Sequence, residues 1–205
     1  MMPGMMPYVS FSLVVRDPES CESLREGLDH LLRPLKQELD LFFLYEGRQD
    51  PSPGVVMHVW WEPQHPKLDV RLVCDAALAA SYVNVTAPDT EQAVAVLGAI
   101  AARLPALPLE ALREKAKASD AEADWTLFAI AIRDPAAEPN LTVFRDAFRS
   151  PRPARRRAAA QAAAMVASPS LLPLLAEALA AEAHGSTRTV LEIALVSCAE
   201  KEEPG

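Results

Sequence analysis

Hydrophobic positions change period several times along the chain. Residues 8–15 alternate with β-branched and aromatic side chains, and Arg16, Asp17 and Pro18 close the run, which predicts a strand. Residues 20–39 place Leu24, Leu28, Leu31, Leu32 and Leu35 at helical spacing, and Pro34 predicts a kink or a split into two short helices. Further strands are predicted at 41–45, 55–61, 68–74 and 81–86, with loops over 49–54 and 62–67 where turn residues and prolines gather. Pro88 and Asp89 then open a helix with its body at 93–104. The order β-α-β-β-β-β-α predicts an α+β domain, a mostly antiparallel sheet with helices against one face.

Beyond the segment 104–109, Leu-Pro-Ala-Leu-Pro-Leu, every pattern is helical: 109–118, 120–133, 140–149, 154–167, 171–183 and 187–200. The expected division is 1–105 as the α+β domain and 106–205 as an antiparallel helical stack. Composition marks the same change, since all 36 alanines lie from Ala76 onward. Large side chains early and small ones late imply different packing rules in the two parts.

The stretch 150–179 resembles a HEAT-like repeat of the bacterial kind. Pro151, Arg156, Arg157, Ala158, Ala159, Pro169, Leu172, Pro173, Leu175, Glu177 and Leu179 fall on the family's positions without a gap. Leu141, Val143, Phe144, Ala147 and Phe148 repeat the spacing of Leu172, Leu174, Leu175, Ala178 and Leu179 at an offset of 31. Arg188, Val190 and Ala194 look like the start of a further first helix, so the resemblance covers roughly 120–200. Two residues depart from it: Arg155 stands at a usual aliphatic position, and Ala163 replaces a leucine. The resemblance implies scaffolding or partner binding through a helical surface, although some members of the family are enzymes.

Charge narrows the partner. The chain carries 20 basic and 28 acidic residues, a net −8. That field opposes nonspecific nucleic-acid binding and docking on an anionic membrane. No apolar run approaches the ~20 residues of a membrane-spanning helix. Cys21, Cys74 and Cys198 are odd in number and form no Cys-x-x-Cys pair, so they read as buried free thiols of a reducing cytoplasm. Residues 1–8 lack a basic segment and an apolar core, which reads as no secretory signal.

Candidate interaction residues follow from residue type. Trp60 and Trp61 are adjacent in a strand and must point to opposite faces, so one enters the core and the other can anchor a partner. Phe42 and Phe43 pose the same choice. Arg152, Arg155, Arg156 and Arg157 form the only basic cluster, at a helix start where the macrodipole disfavours cations. They could grip an acidic partner, or be offset by Asp146 or by the acidic first domain. His58, Glu62, His65 and Asp69 lie close in sequence but match no metal motif. Cys198 with His184 could be imagined as nucleophile and base, yet a helical cysteine is more simply core. Asp17, Asp40 and Glu46 sit at strand ends, where sites occur and where any strand meets water. No glycine-rich phosphate loop or nucleophile elbow is encoded.

The sequence therefore assigns no catalytic residue, metal or cofactor. It reads best as a non-enzymatic cytoplasmic adaptor that binds another protein through the helical surface, using Arg152, Arg155, Arg156, Trp60 and Trp61. Nucleic acid and membrane are not expected as partners, and a homo-oligomer stays open. One alternative is a toxin-neutralising or regulatory binder. The other is a small-molecule-binding or enzymatic α+β domain with a helical lid.

Overall fold

The computed structural model describes residues 9–15, 21–76, 80–104, 106–118, 121–133 and 138–200. Residues 1–8, Asp17 and the other residues named at 16–18 lie outside these. The chain divides into two compact units, Met1–Leu107 and Pro108–Gly205.

The first unit is α+β. Its elements are β1 (Val9–Val15), α1 (Cys21–Leu32), α2 (Leu35–Leu39), β2 (Leu44–Ser52), β3 (Val55–Glu62), β4 (His65–Asp75), β5 (Ala80–Ala87) and α3 (Thr90–Ala101). All pairings are antiparallel and the sheet order is β1-β5-β4-β3-β2. Pro34 does end the first helical run, because it can neither donate to α1 nor fit its interior. Asp40 closes α2 in the left-handed region at φ 56°.

Alternation decides which face is covered. Leu13, Trp60, Leu68, Val70, Leu72, Val83 and Val85 point inward and join Leu24, Leu28, Leu32, Val96 and Ile100 of the helices in one core. The opposite face carries Asn84, which donates to the Ser10 hydroxyl at 2.7 Å and the Ser12 hydroxyl at 3.0 Å. That face is mixed, since Val14, Val59 and Val73 lie on it and are buried as well.

Two strands differ from expectation. β2 begins at Leu44 rather than at 41 and runs through the expected loop to Ser52, leaving a turn at Pro53 and Gly54. It is an edge strand, almost wholly exposed, so no alternation betrays it; pairing with β3 creates it. Pro51 is tolerated because an edge strand needs no donor on its outer side. Gly54, at φ 80° after Pro53, fits the third position of a type II turn. β4 starts at His65, since Glu62 pairs with His65 across a tight turn where a loop was expected.

The cysteine expectation is corrected. Cys21, the first residue of α1, is bonded to Cys74 of β4, and Cys198 is a buried thiol outside that bond. Fold topology brings together two residues that are far apart in the chain, which their count could not show.

The second unit is helical: α4 (Leu109–Ala116), α5 (Ala121–Arg133), α6 (Glu138–Phe148), α7 (Pro153–Val166), α8 (Leu172–Ala181) and α9 (Gly185–Glu200), with a 3-10 turn at Pro169–Leu171. The helices form two rows. α5, α7 and α9 pack side by side in one, and α4, α6 and α8 follow each other in the other. Small residues let α7 sit closely in its row, where Ala158, Ala159, Ala160, Ala162 and Ala163 are all buried. α9 runs parallel to α7, with the Thr187 hydroxyl donating to the Pro153 carbonyl at 3.4 Å and the Cys198 thiol to the Ala163 carbonyl at 3.7 Å.

Candidate functional site

The arginine cluster stands at the start of α7, and Arg152, Arg155 and Arg156 are engaged within the helical unit. Arg152 reaches Asp124 of α5 at 2.9 Å. Arg155 is buried, with one Nη 3.4 Å from the other Asp124 oxygen and the second donating to the Ala116 carbonyl in the last turn of α4. Arg156 makes a two-pronged contact with Glu182, Nε at 2.7 Å and Nη2 at 2.8 Å, and also donates to the Ser150 carbonyl at 2.8 Å. Glu182 is buried and accepts a further bond from the His184 backbone at 2.8 Å. Charge-assisted hydrogen bonds from Arg156 outweigh burial and hold the Glu182 carboxyl down at about 2.

These contacts answer the cost of cations at a helix N-terminus: two carboxylates are aimed at it. They come from Asp124 and Glu182, where the sequence reading had offered Asp146 or the first domain. Arg155 occupies a position where an aliphatic residue was expected and satisfies its charge on a helix C-terminal carbonyl and a carboxylate. It is an interior strut between three helices, only 5 % exposed.

Beside Arg156 lies a groove of about 370 Å³ between α6 and α8. Phe148, Leu174, Ala178 and Ala181 make its apolar floor. Arg145, in the last turn of α6, and Arg149, the residue after it, line one side, and Arg149 meets Glu177 of α8 at 2.8 Å. Arg156 and Glu182 also line it. A second hollow of about 570 Å³ lies on the α4 side of α6 and shares Arg149 and Ser150. Sequence reasoning missed Arg145, Arg149 and Glu177. The available signal was the four-residue spacing of the two arginines, which sets them on one face.

In the first unit Trp60 is fully buried and its indole N–H donates to Asp29 at 3.2 Å. Trp61 faces the other way, 37 % exposed and directly opposite Leu44. Phe43 is buried and Phe42 exposed, so each adjacent aromatic pair splits between the two sides. Of the proposed anchors, Trp61, Arg152 and Arg156 keep some surface, while Trp60 and Arg155 are interior.

The remaining chemistry-bearing residues are dispersed. His58 is buried and its Nδ1 lies 2.8 Å from the Tyr45 hydroxyl; burial pushes its pKa below the ordinary imidazole value. Glu62 is buried and accepts the His65 backbone N–H at 2.5 Å, with the ring Nδ1 at 2.7 Å. Asp69 is held by Arg71. No group of three or more His, Cys, Asp or Glu is placed to hold a metal ion among the described residues. Cys198 turns its thiol to Ala163, whereas His184 is exposed beside Ser186. Asp40 and Glu46 are exposed. Among the described residues, no helix is long and apolar enough to cross a membrane.

Comparisons with protein-family models, with curated proteins and with solved structures found no match.

Proposed function

We propose that this chain is a non-enzymatic adaptor whose helical unit binds a segment of another protein in the groove between α6 and α8. The observation that carries the reading is the groove itself: an apolar floor of Phe148, Leu174, Ala178 and Ala181 beside two guanidinium groups, Arg145 and Arg149, and the exposed carboxylate Glu177. That lining suits an aliphatic side chain flanked by a carboxylate, since apolar burial supplies affinity and the rim cations set orientation. The two rows of helices and the sequence resemblance to HEAT-like repeats support the same reading. The buried ion pairs of Arg155 and Arg156 serve it indirectly, by fixing the helices that wall the groove.

The Cys21–Cys74 bond belongs to the kind that persists in oxidising compartments, so a cytoplasmic location forms no part of this proposal.

The test uses the full chain immobilised beside an Ala178→Arg variant, which fills the groove from its floor, and an Arg145→Glu variant, which reverses one rim charge. A protein held by the native chain and lost by both variants, with their melting temperatures unchanged, is the expected result. Equal retention by all three, or no protein held by the native chain, overturns the proposal.

A further inference from the structure

The groove between α6 and α8 holds more cation than its own carboxylates neutralise. Its charged lining consists of Arg145, Arg149, Arg156, Glu177 and Glu182. Glu182 is committed to Arg156, which bonds both of its oxygens. That leaves Glu177 to answer two guanidinium groups. It accepts from Arg149 at 2.8 Å. Among the described residues no carboxylate lies within ion-pair distance of Arg145, which acts on Glu177 through space. One positive charge is therefore left over beside an apolar floor, in a chain whose net charge is −8.

We infer that this groove takes the end of a polypeptide: the aliphatic C-terminal residue of the bound segment, with its α-carboxylate on Arg145 and Arg149. This rests on the proposed reading of the groove as a peptide site and names what fills it. Charge is the first reason, since one cation in excess matches one carboxylate. Two guanidinium groups four residues apart can offer it several N–H donors, the geometry in which arginine binds carboxylates best. Size is the second. A hollow of about 370 Å³ is small for a ligand site, so the apolar group and the anion that fill it are close neighbours. A C-terminal residue carries both. Shape is the third. Ser150 and Ala183, from the connections that follow α6 and α8, line the same hollow, so it stops where the helices stop. A chain entering along the apolar floor of Phe148, Leu174 and Ala178 meets a wall there. Capture of a terminal carboxylate is a recurring mode of peptide recognition. Glu177 competes with the incoming carboxylate for Arg149, and so sets a limit on affinity.

Fluorescence anisotropy of the full chain with a fluorescein-labelled peptide, Gly-Ser-Gly-Ala-Leu, tests it. The free acid is expected to bind with a Kd on the order of 100 µM. Its C-terminal amide is expected to bind at least tenfold more weakly, the scale of a lost charge-assisted contact. Arg145→Ala should weaken the acid by a similar factor and leave the amide unchanged. Glu177→Gln should tighten the acid severalfold, because Arg149 is then released to it. Both side chains are exposed, and unchanged circular dichroism confirms the fold of each variant. An amide that binds as tightly as the acid overturns the inference and leaves the proposed adaptor groove standing. So does equal binding of the amide Gly-Ser-Asp-Ala-Leu, which carries its carboxylate inside the chain. Weaker binding of the acid by Glu177→Gln overturns it as well, since the groove would then favour a cation. No binding of the acid below roughly 1 mM also overturns it, while protein retention by the native chain and its Ala178→Arg variant judges the groove separately. Free 4-methylpentanoate should compete at least tenfold more weakly than the peptide acid. Equal competition overturns the assignment to a chain terminus and gives the hollow to a small carboxylic acid.

Discussion

Arg156 and Glu182 form a two-pronged ion pair that ties the first turn of α7 to the residue after α8, with the carboxylate side chain 1 % exposed. Arg156→Ala leaves that carboxylate buried and unmatched, and such losses cost about 3–5 kcal/mol. Arg156→Met with Glu182→Met removes both charges and is expected to cost far less. Urea unfolding of the three proteins distinguishes a buried pair from a surface one, for which both changes would stay below about 1 kcal/mol.

The same pair sets an acid limit. The folded Glu182 carboxyl titrates at about 2 against an ordinary 4.5, chiefly because Arg156 bonds its charged form. Its stabilisation is complete above the unfolded value and is lost as pH falls from about 4.5 toward 2. A stability–pH series should show that loss in the native chain and a shallower one in Glu182→Gln.

Asp124 answers two cations at once. Asp124→Ala removes a partner of Arg152 and a partner of buried Arg155, which also donates to the Ala116 carbonyl. We expect a loss of about 3 kcal/mol, the scale for an uncompensated interior charge. Asp124→Ala with Arg155→Met should recover part of it, which thermal melts of the two variants would reveal.

His58 predicts a second pH dependence of the opposite residue type. Burial lowers its folded pKa below the unfolded 6.5, so the unfolded chain binds the proton first. Stability therefore falls as pH drops below about 6.5 and levels off beneath the folded value. Tyr45 is its hydrogen-bond partner, and Glu22, Arg25, Arg48 and Asp50 act on it electrostatically. His58→Gln should flatten the slope below pH 6.5, measured by urea midpoints.

The Cys21–Cys74 bond closes a loop of 53 residues, for which chain entropy gives about 4 kcal/mol. Denatured, unreduced protein should show one reactive thiol, that of Cys198, and three after reduction. Cys21→Ala with Cys74→Ala should lower the melting temperature, and reductant should then have no further effect.

Period alone determined much of this protein. Alternation at Leu68–Cys74 and at 81–86 located β4 and β5, and Pro34 split the first helical run. These are local consequences of side-chain direction and backbone restriction, so they are written within a few residues. Adjacent Trp60 and Trp61 had to separate for the same reason, but only the tertiary structure decided which of them is interior: Trp60 joins the core with the residues of α1 and α3, and Trp61 stays partly exposed. It also decided that the second strand starts at Leu44 and runs on to Ser52, because an exposed edge is made by its neighbour's hydrogen bonds. The bond between Cys21 and Cys74, and the choice of Asp124 and Glu182 as partners of the arginines, depend on contacts between residues 26–53 positions apart. Charge and thiol chemistry act across space, and local sequence carries no record of which distant residue folding will bring near.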